Sequence, residues 1–154
     1  MKILITGGGG FIGSRLASAL LARGRLGGAT IERLVLADQV APRSELASDR
    51  RVETRVGKLA EQCEALAREG FDGIFHLASA VSGECEADFD LGLRSNLDTT
   101  RALLDALRAA TARGARPAKL VFSSSVAVFG PDPAVPLPAT TPCRRRRRRT
   151  ARTS

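Results

Sequence analysis

Lys2-Ile3-Leu4-Ile5-Thr6-Gly7-Gly8-Gly9-Gly10-Phe11-Ile12-Gly13 opens the chain with an apolar run of strand length, a glycine turn and the start of an amphipathic segment. Lys2–Thr6 reads as a first strand. Phe11–Arg23 reads as a helix, because Phe11, Ile12, Leu16, Ala19 and Leu20 recur at helical spacing, and Gly24 is a helix stop. A strand-to-helix turn this tight needs residues without a Cβ. It lets the backbone approach a pyrophosphate while the helix N-terminus points unpaired N–H groups at the charge. The spacing is GxxGxxG over Gly7, Gly10 and Gly13, and Gly8 and Gly9 leave GxGxxG open. The bland alternative, a glycine turn with no ligand, is disfavoured by the strand before it and the helix after it.

The same alternation continues outward. Arg33–Ala37, Arg51–Val56, Phe71–Ala78 and Lys119–Ser123 read as four further strands. A polar helix is expected over about Ala60–Glu69, and a long one over about Asp88–Arg113 with Leu93, Leu97, Leu103, Leu104 and Leu107 on its buried side. Strands alternating with helices predict an α/β fold, a Rossmann-type doubly wound parallel sheet in the order 3-2-1-4-5, incomplete at its C-terminus. Five prolines between Pro131 and Pro142 exclude a regular helix there. The expected organisation is a partial nucleotide-binding domain over residues 1–142 and a disordered arginine-rich tail over 143–154.

Composition narrows the functional classes. With 154 residues and 44% hydrophobic content, the chain can bury one sizeable core. The net charge of +8 suggests a nucleic-acid binder until its distribution is read, because seven arginines, Arg144–Arg149 and Arg152, lie in the last twelve residues. Removing them leaves 17 basic against 16 acidic side chains, so the body is nearly neutral. Binding of nucleic acid is then expected only nonspecifically, through the tail. Cys63, Cys85 and Cys143 form no CxxC pair and one histidine cannot complete a site with them, so neither a disulfide framework nor a metal is expected. Ile3-Leu4-Ile5 is far too short for a signal peptide or a membrane span, and a cytoplasmic protein with no membrane partner is expected.

Asp38 stands at the end of the second strand, 25 residues after Gly13. In this fold an acid there accepts the adenosine ribose hydroxyls and repels a 2′-phosphate, so the expected cofactor is NAD. The alternative is a solvated Asp that begins the loop to Pro42.

These residues, together with His76-Leu77-Ala78, Asn96, Phe122-Ser123-Ser124-Ser125 and Val128-Phe129-Gly130, resemble the extended short-chain dehydrogenases, the NAD-dependent epimerase/dehydratase family. The resemblance runs from Met1 to about Pro142. It implies that Phe11 and Ile12 flank the cofactor diphosphate, that Leu77, Ala78 and Ser79 pass close to the riboses, and that Asn96 helps hold the cofactor side of the pocket. Ser125 matches the catalytic serine that hydrogen-bonds the reacting substrate oxygen. Ser123, Ser124 and His76 take structural readings, although His76 also invites a catalytic one. Val81-Ser82-Gly83-Glu84, Ala87–Leu93 and the Gly24–Ile31 insertion resemble a branch that oxidises C2 of four-carbon sugar acids, with Ser82 beside the substrate. An ordinary capping loop starting at Ser82 or Asp88 is the alternative. The partners implied are a sugar acid or a nucleotide sugar, and a second copy in a homodimeric parent.

The family's reaction also needs a Tyr-x-x-x-Lys pair about two dozen residues beyond the serine. The chain contains no tyrosine and its last lysine is Lys119, so it is expected to be inactive as it stands. Lys58 stands where relatives carry an Asp that contacts the adenine amino group, which would weaken adenine binding. Codons exist for Arg149–Ser154 whose neighbouring frame spells Tyr-Gly-Ala-His-Lys. A frameshift near Pro142 is therefore expected, with apolar surface left exposed where relatives cover the sheet. Three functions follow: the NAD-binding part of a sugar-acid dehydrogenase, part of a nucleotide-sugar epimerase or dehydratase, or a non-catalytic dinucleotide-binding or basic-tailed module.

Overall fold

A computed structural model describes residues 1–125. Met1–Phe122 form one compact unit, and Ser123 begins a second. Phe129, Gly130, the proline-rich stretch and the arginine tail fall outside the described residues.

Strand β1 (Lys2–Thr6) lies at the centre of a five-stranded parallel sheet. A two-residue-per-strand hairpin follows helix α1 (Phe11–Arg23): β2 (Arg25–Leu26) and β3 (Ala29–Thr30). It is the structure of the Gly24–Ile31 insertion, held down by the Met1 amino group donating to the Thr30 carbonyl at 2.8 Å. Then come β4 (Arg33–Asp38), the short helix α2 (Ser44–Ala47), β5 (Val52–Val56), α3 (Leu59–Glu69) and β6 (Gly73–His76). The sheet closes on β7 (Lys119–Phe122) in the order β5-β4-β1-β6-β7. Counting only its own strands, this is the expected 3-2-1-4-5.

Strand parity sorts the core onto two faces. Ile3 and Ile5 point with Leu34 and Leu36 toward α1 and α2, meeting Ala17, Leu20 and Leu46. Leu4, Val35, Ala37 and Ile74 point the other way, toward α3 and the last helix, meeting Leu59, Cys63, Leu66 and Leu103. By the same parity Thr6 and His76 fall on that second face, where they are buried polar residues among aliphatic ones. Gly24 ends α1 in the left-handed conformation at φ 64°, as a C-cap glycine should.

The expected long helix is broken. Helix α4 (Ser82–Ala87) stops at Asp88, whose φ and ψ of −138° and 97° are extended. The Asp88 carboxylate then caps α5 (Phe89–Gly92) by accepting the Leu91 N–H. A π-helical turn over Leu93–Asp98 leads into α6 (Thr99–Ala112). One extra residue in a turn rotates what precedes it by about 100°. The predicted apolar stripe is therefore split: Leu103 is fully buried and Leu107 packs beside it, whereas Leu93 and Leu97, in the π turn, are 40% and 58% exposed. Leu104 lies on α6 itself, about 100° around the helix from Leu103, and is 44% exposed. The strands at Phe71–Ala78 and Lys119–Ser123 are also shorter than expected, ending at His76 and Phe122. Every residue of β7 is exposed, Val121 and Phe122 by more than half. Among the described residues no helix is long and apolar enough to cross a membrane, and no cluster of side chains could hold a metal.

Candidate functional site

Strands β4 and β6 leave β1 on opposite sides, so the carboxyl end of β1 is the switch point at which doubly wound sheets form their crevice. The glycine turn occupies that end. Gly7 has φ +75°, and a Cβ there would lie 2.8 Å from the Ala78 nitrogen and 2.9 Å from the Leu77 carbonyl carbon. The turn is thus pressed against the chain leaving β6. A Cβ on Gly13 would run into the Gly7 carbonyl oxygen, and one on Gly9 into the Val40 carbonyl oxygen. Gly10 is different, since a Cβ there meets only the Gly7 oxygen at 3.3 Å. A Cβ on Gly8 would likewise lie 2.8 Å from the Leu36 Cβ, so four glycines are needed for packing, while Gly10 leaves room above the helix end.

The first backbone bond of α1 runs from the Ser14 N–H to the Gly10 carbonyl at 2.9 Å, and Gly10 supplies no side-chain cap. The N–H groups of Phe11, Ile12 and Gly13 are therefore the unpaired donors of a helix N-terminus. Phe11 and Ile12 are 70% and 62% exposed around them. The Arg15 guanidinium, 5.5 Å from the Phe11 ring, adds positive charge beside the same donors. The Ser14 hydroxyl donates to the Gly8 carbonyl at 3.1 Å and fixes the turn from beneath.

Asp38 meets this turn directly. Its Oδ2 accepts the Gly9 N–H at 2.9 Å and its Oδ1 accepts the Val40 N–H at 3.2 Å. Each oxygen retains lone-pair capacity for a hydroxyl. The acid therefore shapes the glycine turn as well as facing the crevice, a role sequence spacing alone did not suggest. Lys58 stands next to Gly57, whose N–H donates to the Asp38 carbonyl at 2.9 Å.

On the β6 side, Leu77 and Ala78 line the turn and Ser79 is exposed. Asn96, in the π turn, grips the following residue from both sides: its Oδ1 accepts the Ala80 N–H at 2.7 Å and its Nδ2 donates to the Ala80 carbonyl at 3.1 Å. Asn96 thus reaches the crevice through the backbone of this loop. His76 is 2% exposed, with both ring nitrogens hydrogen-bonded, and burial pushes its pKa below the usual imidazole value. Two partners missed by sequence reasoning hold it, Thr6 and Thr100. Their only trace in the sequence is a hydroxyl at a core-facing position of a strand and of a helix.

Ser82 is exposed at the first position of α4, behind a Val81 N–H that donates to the Glu84 carboxylate at 3.1 Å. Ser125 is exposed and belongs to the second unit.

A model of the NAD dependent epimerase/dehydratase family matches residues 3–150. A D-erythronate dehydrogenase of Cupriavidus necator is 46% identical over 138 residues, covering 84% of this chain and 40% of its own length. The crystal structure of a nucleoside-diphosphate-sugar epimerase from Agrobacterium tumefaciens superposes with a TM-score of 0.79 at 41% identity, over 84% of this chain and 38% of that one. A UDP-glucose-4-epimerase from Stenotrophomonas maltophila, solved with bound NAD and formylated UDP-arabinopyranose, gives 0.70 at 26% identity, over 91% and 41%. The chain thus spans about two fifths of the length of these relatives.

Proposed function

The chain belongs to the NAD dependent epimerase/dehydratase family, and from that premise we propose that it is the NAD-binding portion of a sugar-acid dehydrogenase similar to D-erythronate dehydrogenase. The observation that carries the reading is the 2.9 Å bond from the Gly9 N–H to Asp38, which sets the acid of one strand against the glycine turn and free helix amides of another. Close packing beneath Gly7, Gly8, Gly9 and Gly13, with the open position at Gly10, fits a diphosphate approaching the backbone.

In this reading the N–H groups of Phe11, Ile12 and Gly13 take the diphosphate, and Asp38 takes the adenosine ribose hydroxyls and repels a 2′-phosphate. Leu77, Ala78 and Ser79 lie along the cofactor, and Asn96 keeps that loop in place through Ala80. Lys58 cannot accept from the adenine amino group as an Asp would. Ser82 sits beside a sugar acid, and Ser125 hydrogen-bonds the substrate hydroxyl oxygen at C2. Bound NAD supplies the hydride acceptor. No tyrosine is present to take the hydroxyl proton, so this chain binds the cofactor without turning substrate over.

Isothermal titration of the 154-residue chain with NAD and NADP, followed by an erythronate oxidation assay, tests this. NAD binding in preference to NADP, without NADH formation, is expected. Absence of affinity for any adenine dinucleotide overturns the reading, and NADH formation by this chain overturns the part given to the missing tyrosine. A second reading, part of a nucleotide-sugar epimerase, is favoured by the superposition with the Agrobacterium tumefaciens structure. Binding of UDP-glucose but not of erythronate would select it.

A further inference from the structure

One hydrogen-bonded chain runs through the second face of the core and comes back on itself. The Ala78 N–H donates to Thr6 Oγ1 at 3.4 Å, and Thr6 Oγ1 lies 2.6 Å from His76 Nδ1. His76 Nε2 lies 2.9 Å from Thr100 Oγ1, which donates to the Asn96 carbonyl at 2.8 Å. The Asn96 side chain then holds both backbone groups of Ala80. The circuit begins at Ala78 and ends at Ala80, so it closes around the segment pressed against Gly7.

Donor accounting leaves one proton arrangement. A carbonyl can only accept, so the Thr100 hydroxyl hydrogen is committed to Asn96 and Thr100 Oγ1 must accept from His76 Nε2–H. The neutral ring then has a bare Nδ1, which accepts from the Thr6 hydroxyl, and the Thr6 oxygen receives the Ala78 N–H. From the Ala78 N–H to the Asn96 carbonyl every hydrogen points the same way. A proton added at Nδ1 would face the Thr6 donor and leave the Thr6 hydroxyl without its acceptor. With Thr6 and His76 inaccessible to water, nothing else would replace that bond.

We propose that His76 is the positioning residue of the cofactor loop: held as the neutral Nε2–H tautomer, it ties the end of β1 to the π turn and fixes Ala78–Ala80 against the glycine turn. The cofactor clause rests on the dinucleotide reading given above. The tautomer clause does not.

His76 is the sole histidine of the chain, so a long-range 1H–15N correlation spectrum of the labelled protein shows one imidazole and needs no variant. A protonated Nε2 and a bare Nδ1 at neutral pH are expected. A protonated Nδ1, or a doubly protonated ring, overturns the proposal. Thr100→Val removes the acceptor of Nε2–H while keeping the side-chain volume. It should weaken NAD binding by about fivefold to tenfold, the size of one buried hydrogen bond, and leave AMP, which reads the Asp38 end, unaffected. Thr100→Ser should restore NAD affinity. Unchanged NAD binding in Thr100→Val, or equal loss of NAD and AMP, overturns the positioning role. Wild-type protein that binds neither ligand overturns the dinucleotide reading and the cofactor clause together, whereas a wrong tautomer overturns the proposal alone.

Discussion

Gly7 and Gly10 lie three residues apart in one turn, and alanine should separate stability from affinity at the two positions. At Gly7 an L-residue must adopt φ +75°, worth about 1–2 kcal/mol against folding. Its Cβ also lands 2.8 Å from the Ala78 nitrogen and 2.9 Å from the Leu77 carbon. Reaching ordinary contact requires a shift of about half an ångström between two backbone segments, neither of which can rotate aside, and overpacking of that kind adds about 1–2 kcal/mol. The total for Gly7→Ala is about 2–4 kcal/mol, or a fall in urea midpoint of about 1–2 M for a chain of this size. Gly10 has φ −72° and ψ 172°, which any residue adopts, and its Cβ meets only the Gly7 oxygen at 3.3 Å. Gly10→Ala should therefore lose no more than about 1 kcal/mol, mostly through the poorer N-cap, yet place a methyl group over the free amides of α1. The chain has neither tryptophan nor tyrosine, so unfolding is followed by far-UV circular dichroism and NAD binding by calorimetry. A Gly7→Ala protein as stable as wild type would refute the packing of the turn on β6. A Gly10→Ala protein that binds NAD with full affinity would refute the placement of the diphosphate.

Two further outcomes follow from the charged and titratable groups. Burial lowers the His76 pKa in the folded chain below the unfolded value of about 6.5, so the unfolded state binds the extra proton first. Stability is then fully present above about pH 6.5 and falls as the pH drops toward the folded pKa, by up to about 1.4 kcal/mol per pH unit. Urea midpoints measured from pH 7.5 downward check this, and a midpoint that rises on acidification between 6.5 and 5.5 would contradict it. Asp38→Asn replaces one amide-accepting oxygen by a donor facing the Gly9 or Val40 N–H. It should destabilise the fold by about 1–2 kcal/mol and narrow the preference for NAD over NADP, read by parallel titrations.

The sheet order, α1 and the glycine turn were legible because they depend on local signals: apolar runs of strand length, helical spacing and residues without a Cβ. Asp38 was legible for its position but not for its two backbone bonds, which join residues 29 and 2 positions apart across a turn. The break at Asp88 and the π turn were hidden because Leu93 and Leu97 continue the spacing of Leu103 and Leu107 as written, and only the inserted turn takes them off it. The His76 circuit was hidden for another reason. It pairs Thr6 with His76 across 70 residues and His76 with Thr100 across 24, and no periodicity reports a contact between strand ends and a helix.

The π turn sets apolar burial against the placement of one side chain. Rewinding Leu93–Asp98 as a regular α-helix, with every residue kept, would swing Leu93, and to a lesser extent Leu97, back toward the side on which Leu103 is packed. The same rotation would carry Asn96 away from Ala80. The irregularity leaves two leucines exposed and aims the Asn96 carboxamide at Ala80. Attempts to stabilise this protein by regularising the segment should raise its melting temperature and loosen its hold on the dinucleotide together.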